Sequence, residues 1–270
     1  MQDGTLFSHC IVKMVTLCSS MRLIRSSRQL LRRSLSSSAD ASAPPAAEIA
    51  GGAVNQFAMN QYILACTSTK QSAIIDCGAS SKAELEQFLT WMDERKYNLV
   101  SVLQTHGHLD HVAGLNLIRQ AHPDVPIHMH ERDLPLYEGF EARVTEWGFQ
   151  IEDEAKGSLP TDNLQLFGDD KKSIEVGDLN LEIIPTPGHC QGQVGYYEPQ
   201  TKSLFGGDLI MKGSVGRTDF PESSPSDMTA SLKRVISLGE REGDFGIYSG
   251  HGPATTLKEE LAHNPFLQGL

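Results

Sequence analysis

The segment at residues 105–111 of this 270-residue chain, THGHLDH, has side chains suited to metal chemistry. It places three histidines and an aspartate within six residues, directly after a short apolar stretch that is typical of a buried strand. Imidazole and carboxylate groups bind divalent zinc, iron or manganese. Four side chains packed so closely on one turn cannot all converge on a single ion. We therefore predict that His106 and His108 bind one metal ion, and that Asp110 and His111 bind a second.

Three more candidate ligands stand further along the chain. His189, Asp208 and His251 each follow a predicted strand, and each has a neighbouring glycine that allows a sharp backbone turn. Strand ends meet at one edge in layered α/β folds, so these side chains can approach the first motif. Together they make seven candidate ligands, enough for two ions. Asp76, also at a strand end, is a candidate hydrogen-bond partner for a ligating histidine, and a turn cap is an equal alternative.

The elements that must position these residues alternate between strand and helix, which predicts an α/β layered fold. Segment 138–170 has a weaker pattern, and we interpret it as an insertion that lines a cleft. The predicted strands cover 60–66, 72–76, 99–103, 126–129, 179–184, 194–197, 203–205 and 245–248, and the predicted helices cover 82–96, 113–121, 226–238 and 256–262.

The composition narrows the classes of function. Hydrophobic residues make up 39% of the chain and charged residues 21%, as in ordinary globular proteins. The net charge of −11 excludes a bulk basic surface for nucleic acid, and no apolar run reaches the length of a membrane-spanning helix. The five cysteines are widely spaced and predict neither a disulfide framework nor a CxxC metal site. We expect a reducing compartment.

The N-terminal part has a different charge from the rest. Between Gly4 and Ala39 there are six basic residues, many serines and no acid. From Asp40 onward, 17 of the 23 basic residues and 33 of the 34 acidic residues remain. We predict that 1–45 is a transit peptide with its linker, and that 46–270 is the functional domain. The expected destination is the mitochondrion, with the plastid as the alternative, and a disordered tail without an address is also possible.

The order of these residues resembles the metallo-β-lactamase superfamily. Within it, the chain is most similar to the short, single-domain, glyoxalase II-like branch, that is, hydroxyacylglutathione hydrolases. The segments that carry this likeness are 186–189 (TPGH), 204–208 (LFGGD), 216–220 (GRTDF) and 250–255 (GHGPAT). The resemblance implies a four-layer αβ/βα sandwich with the metal ions at one edge of two sheets.

The resemblance also implies roles for the candidate ligands. His189 would join His106 and His108 on the first metal ion. His251 would join Asp110 and His111 on the second, and Asp208 would bridge the two ions. The expected cofactors are two divalent ions, zinc first, with iron or manganese as alternatives.

The implied reaction is hydrolysis of a glutathione thioester by a metal-bridging hydroxide. S-2-hydroxyacylglutathione would give glutathione and a 2-hydroxy acid, with Asp110 and Asp208 as catalytic residues.

Arg217 is the candidate for binding a substrate carboxylate, because its planar guanidinium group pairs with two oxygens. A salt bridge within its own loop is an equal alternative. We expect a small-molecule substrate and neither a nucleic acid nor a membrane as partner; the sequence predicts no oligomeric state.

Two alternatives to this reaction stay open. Only 19 residues follow His251, so we expect no counterpart of the C-terminal helical domain that longer glyoxalase II enzymes carry. The GRTDF segment is shared with the mononuclear-iron persulfide dioxygenases. A persulfide dioxygenase is therefore the first alternative, and a metal-binding protein without activity is the second.

Overall fold

A computed structural model describes residues 46–270, and the predicted transit peptide and linker at 1–45 lie outside the described residues. Within the described part, no helix is long and apolar enough to cross a membrane. The three cysteines in this part, Cys66, Cys77 and Cys190, are all buried and unpaired by disulfides.

The first half of the described chain builds a six-stranded sheet in simple sequence order. Strands β1 to β3 pair antiparallel, and β3 to β6 pair in parallel. The strands are β1 (Ala47–Val54), β2 (Met59–Cys66), β3 (Gln71–Ile75), β4 (Asn98–Leu103), β5 (Ile127–His130) and β6 (Leu164–Phe167). The helices of this half are α1 (Lys82–Glu94), α2 (Leu109–Val112), α3 (Leu115–Ala121), α4 (Leu134–Glu138) and α5 (Phe140–Glu146), with 3-10 turns at Glu131–Asp133 and Asp153–Ala155.

The second half builds another six-stranded sheet, in the order β7-β8-β9-β10-β13-β14. Only β10 and β13 pair in parallel in this sheet. The strands are β7 (Ser173–Val176), β8 (Leu179–Pro185), β9 (Val194–Glu198), β10 (Ser203–Gly207), β13 (Gly246–Ser249) and β14 (Thr255–Thr256), and β11 (Ile210–Met211) and β12 (Ser214–Val215) form a separate hairpin. The helices are α6 (Pro225–Glu242) and α7 (Leu257–His263).

The two sheets pack face to face, with a helix on each outer side. Buried side chains of both sheets, such as Leu64 and Tyr196, share one hydrophobic cluster between them. Helix α1 covers the first sheet, where Ser72 Oγ lies 3.2 Å from Met92 Sδ. Helix α6 covers the second, where Leu232 and its neighbours pack with Tyr197. The successive tyrosines 196 and 197 thus point to opposite faces, as β geometry requires, and the expected αβ/βα sandwich is confirmed.

Several predicted boundaries are wrong for identifiable reasons. The interpretation of 138–170 as an insertion fails in its second half, because β6 pairs in parallel with β5. Strand β6 is an edge strand of only four residues with Leu166 exposed, so its pattern is too short to predict a strand. Strands β1 and β7 are also missing from the prediction. Helix α6 begins at Pro225 after the N-cap Ser224, one residue before the predicted start. The helix predicted at 113–121 is α3, which begins at Leu115, and the short helix α2 precedes it in the first histidine motif.

Candidate metal centre

The candidate ligands lie at one edge of the sandwich because five strands end there. The chain leaves β3 at Asp76, β4 just before His106, β8 just before His189, β10 at Asp208 and β13 just before His251. The pairs β3–β4 and β10–β13 are parallel, so their carboxyl ends meet at the same edge of each sheet.

Backbone hydrogen bonds tie the two sheets together at this edge. Val194 N donates to Thr105 O at 2.9 Å, which connects β9 to the segment that precedes the first motif. Asn60 N donates to Gly250 O at 2.6 Å, which connects β2 to the loop of His251. These contacts hold the histidine loops of the two halves next to each other.

The structure brings six of the seven candidate ligands into two adjacent groups and places the seventh, Asp208, between them. His106, His108 and His189 form one group, which we call the first triad; each offers a ligand atom within 4.8 Å of the other two. Asp110, His111 and His251 form a second group that meets the same limit, the second triad. These are the sets that the resemblance implies for two ions.

Asp208 lies between the two triads. Its Oδ1 is 3.5 Å from His111 Nε2, in the second triad. Its Oδ2 is 3.5 Å from His189 Nε2 in the first triad and 3.6 Å from His251 Nε2 in the second. The position between both groups is the one that a bridging carboxylate requires.

Hydrogen bonds to Asp76 orient two of the histidines. His111 Nδ1 donates to Asp76 Oδ2 at 2.9 Å. His106 Nδ1 lies 3.0 Å from Thr105 Oγ1, which itself donates to Asp76 Oδ2 at 2.8 Å. The predicted contact between Asp76 and a candidate ligand is therefore confirmed. Both rings direct Nε2 into the site, where this nitrogen is available to a metal ion.

The remaining polar atoms of the site fit a metal ion. Among residues 46–270, His106 Nε2, His111 Nε2 and Asp208 Oδ1 are buried and have no hydrogen-bond partner. Buried polar atoms without partners are rare and costly, and here they face one another across a few ångströms. Imidazole nitrogen and carboxylate oxygen are ligand types that a divalent cation satisfies. The His/Asp cluster therefore has the ligand types of a metal-binding site.

The pKa values of His106 and Asp208 suit the same purpose, whereas, against the effect of burial, Asp110 and Asp76 raise the pKa of His111 well above its usual value. Burial, followed by the neighbouring histidines, lowers the pKa of His106 well below its usual value, so this imidazole is neutral. Burial alone would raise the pKa of Asp208, but the imidazoles of His111 and His251 hold it below the usual range. Neutral imidazole and ionised carboxylate are the forms that bind metal ions.

Two further side chains, Glu222 and Trp147, stand beside the site or its aromatic wall. Glu222 Oε1 lies 3.2 Å from His108 Nε2, which leaves Nδ1 of this ring for a metal ion. The hydrogen bond with His108 lowers the pKa of Glu222, against its partial burial. The exposed Trp147 lies 6.0 Å from the ring of Phe220, measured between centroids. Glu222 comes from a loop far from the histidine motif, so no local spacing marks it, whereas Trp147 belongs to the segment 138–170 that the sequence predicts to line a cleft.

Phe220 and Arg217 lie on the same loop as Glu222. The Phe220 ring is 5.5 Å from that of His108 and 5.8 Å from that of His189. The Arg217 guanidinium donates to both carboxylate oxygens of Asp219 at 2.8 Å and lies 4.5 Å above Phe220. The alternative of a salt bridge within the loop is therefore what the structure contains, and substrate binding by Arg217 stays a prediction.

Comparisons with known proteins agree with this geometry. Hydroxyacylglutathione hydrolase GloC of Haemophilus influenzae is 34% identical over 200 residues, which cover 73% of this chain and 88% of that protein. The probable metallo-hydrolase YqgX of Bacillus subtilis is 30% identical over 217 residues, covering 80% and 95% of the two chains. A crystal structure of TTHA1623 in a di-iron-bound form aligns with a TM-score of 0.67 at 32% identity, covering 80% and 99%. A family model for the metallo-beta-lactamase superfamily matches residues 55–251, and the chain belongs to this superfamily.

Proposed function

We propose that this protein is a metal-dependent thioesterase whose substrate is S-2-hydroxyacylglutathione. The observation that carries the proposal is the pair of triads with Asp208 between them. The name of the relative from Haemophilus influenzae, hydroxyacylglutathione hydrolase, supports the choice of substrate.

The two triads divide the ligands between two divalent ions. His106, His108 and His189 would hold the first ion, and the second triad would hold the other, with Asp208 contacting both. Two bound ions supply a water of lowered pKa as nucleophile and stabilise negative charge on the reacting carbonyl oxygen. Zinc is the expected metal, and the His/Asp set also accepts iron or manganese.

Cys190, which directly follows the candidate ligand His189, is held as a thiol, which supports water rather than this side chain as the nucleophile. Cys66, Cys77 and Cys190 are all buried, and Cys190 Sγ donates to Asp133 at 3.1 Å. Burial and the Asp133 carboxylate raise the pKa of Cys190 well above its usual value, so it is not a thiolate at neutral pH. Asp110 Oδ2 lies 3.1 Å from His251 Nε2, inside the site, where it can accept a hydrogen bond from the attacking water.

The loop at 216–222 forms one wall beside the first triad. Phe220 packs on the rings of His108 and His189, and Trp147 extends this aromatic surface outward. An apolar wall here excludes water from one side of the reacting group and gives the substrate an area to pack against. Arg217 is exposed beside this wall. It would bind a glutathione carboxylate in place of its present partner Asp219.

The test is hydrolysis of S-D-lactoylglutathione, followed by loss of thioester absorbance. We expect turnover by the zinc-loaded wild type, and at least about a hundredfold lower turnover for Asp208→Ala, together with a lower metal content. Asp178→Ala is the control, because this exposed acid accepts from Ser68, in the turn between β2 and β3, away from the candidate ligands. A folded, metal-loaded wild type without hydrolysis would overturn the proposal, and oxygen uptake with glutathione persulfide would then identify the oxidative alternative.

A further inference from the structure

A buried carboxylate outside the ligand motifs lies between the two loops that carry the first triad. Asp133 is 1% exposed and ends the 3-10 turn that follows β5. One of the two loops follows β4 and contains His106 and His108. The other connects β8 with β9 and contains His189.

Both oxygens of Asp133 accept hydrogen bonds from these loops. Oδ2 accepts from Gly107 N at 3.0 Å, the amide between the first two histidines of the triad. Oδ1 accepts from Gly192 N at 2.6 Å, and Oδ2 also accepts from Cys190 Sγ at 3.1 Å. Cys190 directly follows the third histidine. All three partners donate, so the side chain acts purely as an acceptor, as an ionised carboxylate does.

The backbone of each loop lies directly against Asp133. A Cβ at Gly192 would stand 2.7 Å from both Cγ and Oδ1 of Asp133. A Cβ at Gly107 would stand 3.0 Å from the Asp133 carbonyl oxygen and 3.3 Å from its Cβ. The first distance is shorter than real Cβ contacts, and the second leaves little room. The close approach therefore explains why glycine occupies both positions.

We propose that Asp133 is a positioning residue for the metal centre: it holds the first triad together by fixing both histidine loops to one carboxylate. The inference rests on the metal centre of the proposed function. The other contacts of this triad orient single rings, such as Glu222 on His108 and the Arg217 carbonyl on His189. Asp133 instead sets the spacing between a loop of the first sheet and a loop of the second. Loss of its contacts should weaken the first site and leave the second, which Asp76 orients, unchanged.

The experiment compares Co²⁺ binding by the metal-free full chain and by Asp133→Asn. The amide keeps the shape but has one acceptor oxygen and a donating NH₂ group, so one loop loses its acceptor. We expect one of two Co²⁺ ions to bind about 10- to 100-fold more weakly, with a changed visible spectrum, while the other binds as in the wild type. Asp178→Asn alters an exposed acid that accepts from Ser68 and does not contact the turn of Asp133. It serves as the control and should bind both ions normally.

The outcomes separate positioning from a merely structural role. If Asp133→Asn lowers the melting temperature of the metal-free protein but binds both ions with wild-type affinity and spectrum, the inference is wrong. If this variant does not fold, the same Co²⁺ titration of Gly192→Ala tests the inference. The added methyl group displaces the Asp133 carboxylate without removing it. Weaker binding at one site supports the inference, and unchanged binding at both sites overturns it. A wild type that binds two ions but hydrolyses no thioester would count against the proposed reaction alone.

Discussion

At the scale of single residues, three carboxylates that are not predicted ligands surround the histidines. Asp76 orients His106 and His111 through its own contacts and through Thr105. Asp133 contacts the loops of the first triad, and Glu222 contacts the His108 ring. Partners of this kind set the direction of ligand nitrogens and raise their basicity. The affinity of the site therefore depends on side chains that touch no ion.

The first prediction concerns Asp76. In Asp76→Asn, one carboxylate oxygen is replaced by a donating NH₂ group. The side chain can then no longer accept from the Thr105 amide, the Thr105 hydroxyl and the His111 ring together. We expect zinc at the second triad to bind about 10- to 100-fold more weakly, measured by competition with a chromophoric chelator. Asp178→Asn, which alters an exposed acid that accepts from Ser68, is the control, and equal affinity of all three proteins would contradict the prediction.

At the scale of elements, β5 connects the site to the interior of the first sheet. It pairs in parallel with β4 on one side and β6 on the other, and the turn at its end carries Asp133. His128, in the middle of this strand, is mostly buried. Burial, followed by Lys171, lowers the pKa of His128 to about 4. The strand therefore contains an imidazole that stays neutral in the folded protein.

A pH dependence of stability follows for β5. Below the usual histidine pKa of 6.5, the unfolded chain binds a proton at residue 128 that the folded chain does not bind until about pH 4. The contribution of neutral His128 to the free energy of unfolding is thus fully present above pH 6.5. It decreases as the pH falls from 6.5 towards 4. We expect His128→Gln to reduce this loss of unfolding free energy, measured by urea denaturation of metal-free protein at pH 7, 5.5 and 4.5. His263→Gln, at an exposed position in α7, should retain the wild-type slope, and an unchanged slope for His128→Gln would refute the assignment.

At the scale of the molecule, each triad draws ligands from both sheets. The first combines the loop after β4 with the loop after β8, and the second combines the loop after β4 with the residue after β13. Direct hydrogen bonds, such as those from Val194 to Thr105, from Tyr196 to Gln104 and from Tyr62 to Ser249, also connect the sheets at this edge. Metal ions bound here would therefore hold the two halves of the sandwich together.

Removal of metal should consequently lower the stability of the whole domain. A ligand at about a hundredfold excess over its Kd stabilises the folded state by about 2.7 kcal/mol. For a domain of this size, that corresponds to a melting temperature roughly 5 to 10 °C higher. We expect chelation to lower the wild-type melting temperature by about this amount and zinc to restore it, whereas Asp208→Ala should respond only weakly. A wild-type melting temperature that is the same with and without bound zinc would show that the sheets do not depend on the ions.

The sequence by itself identified the seven candidate ligands and the layered α/β class. This was possible because the HxHxDH spacing is local, and because strands such as β4 and β8 have mostly apolar or alternating patterns that end a few residues before the ligands. Only the tertiary structure revealed Asp133 and Glu222. Their partners stand 26 and 114 residues away, and these contacts arise from the packing of two sheets rather than from any local pattern. The same reason applies to β6, whose four residues form a strand only because β5 offers a free edge.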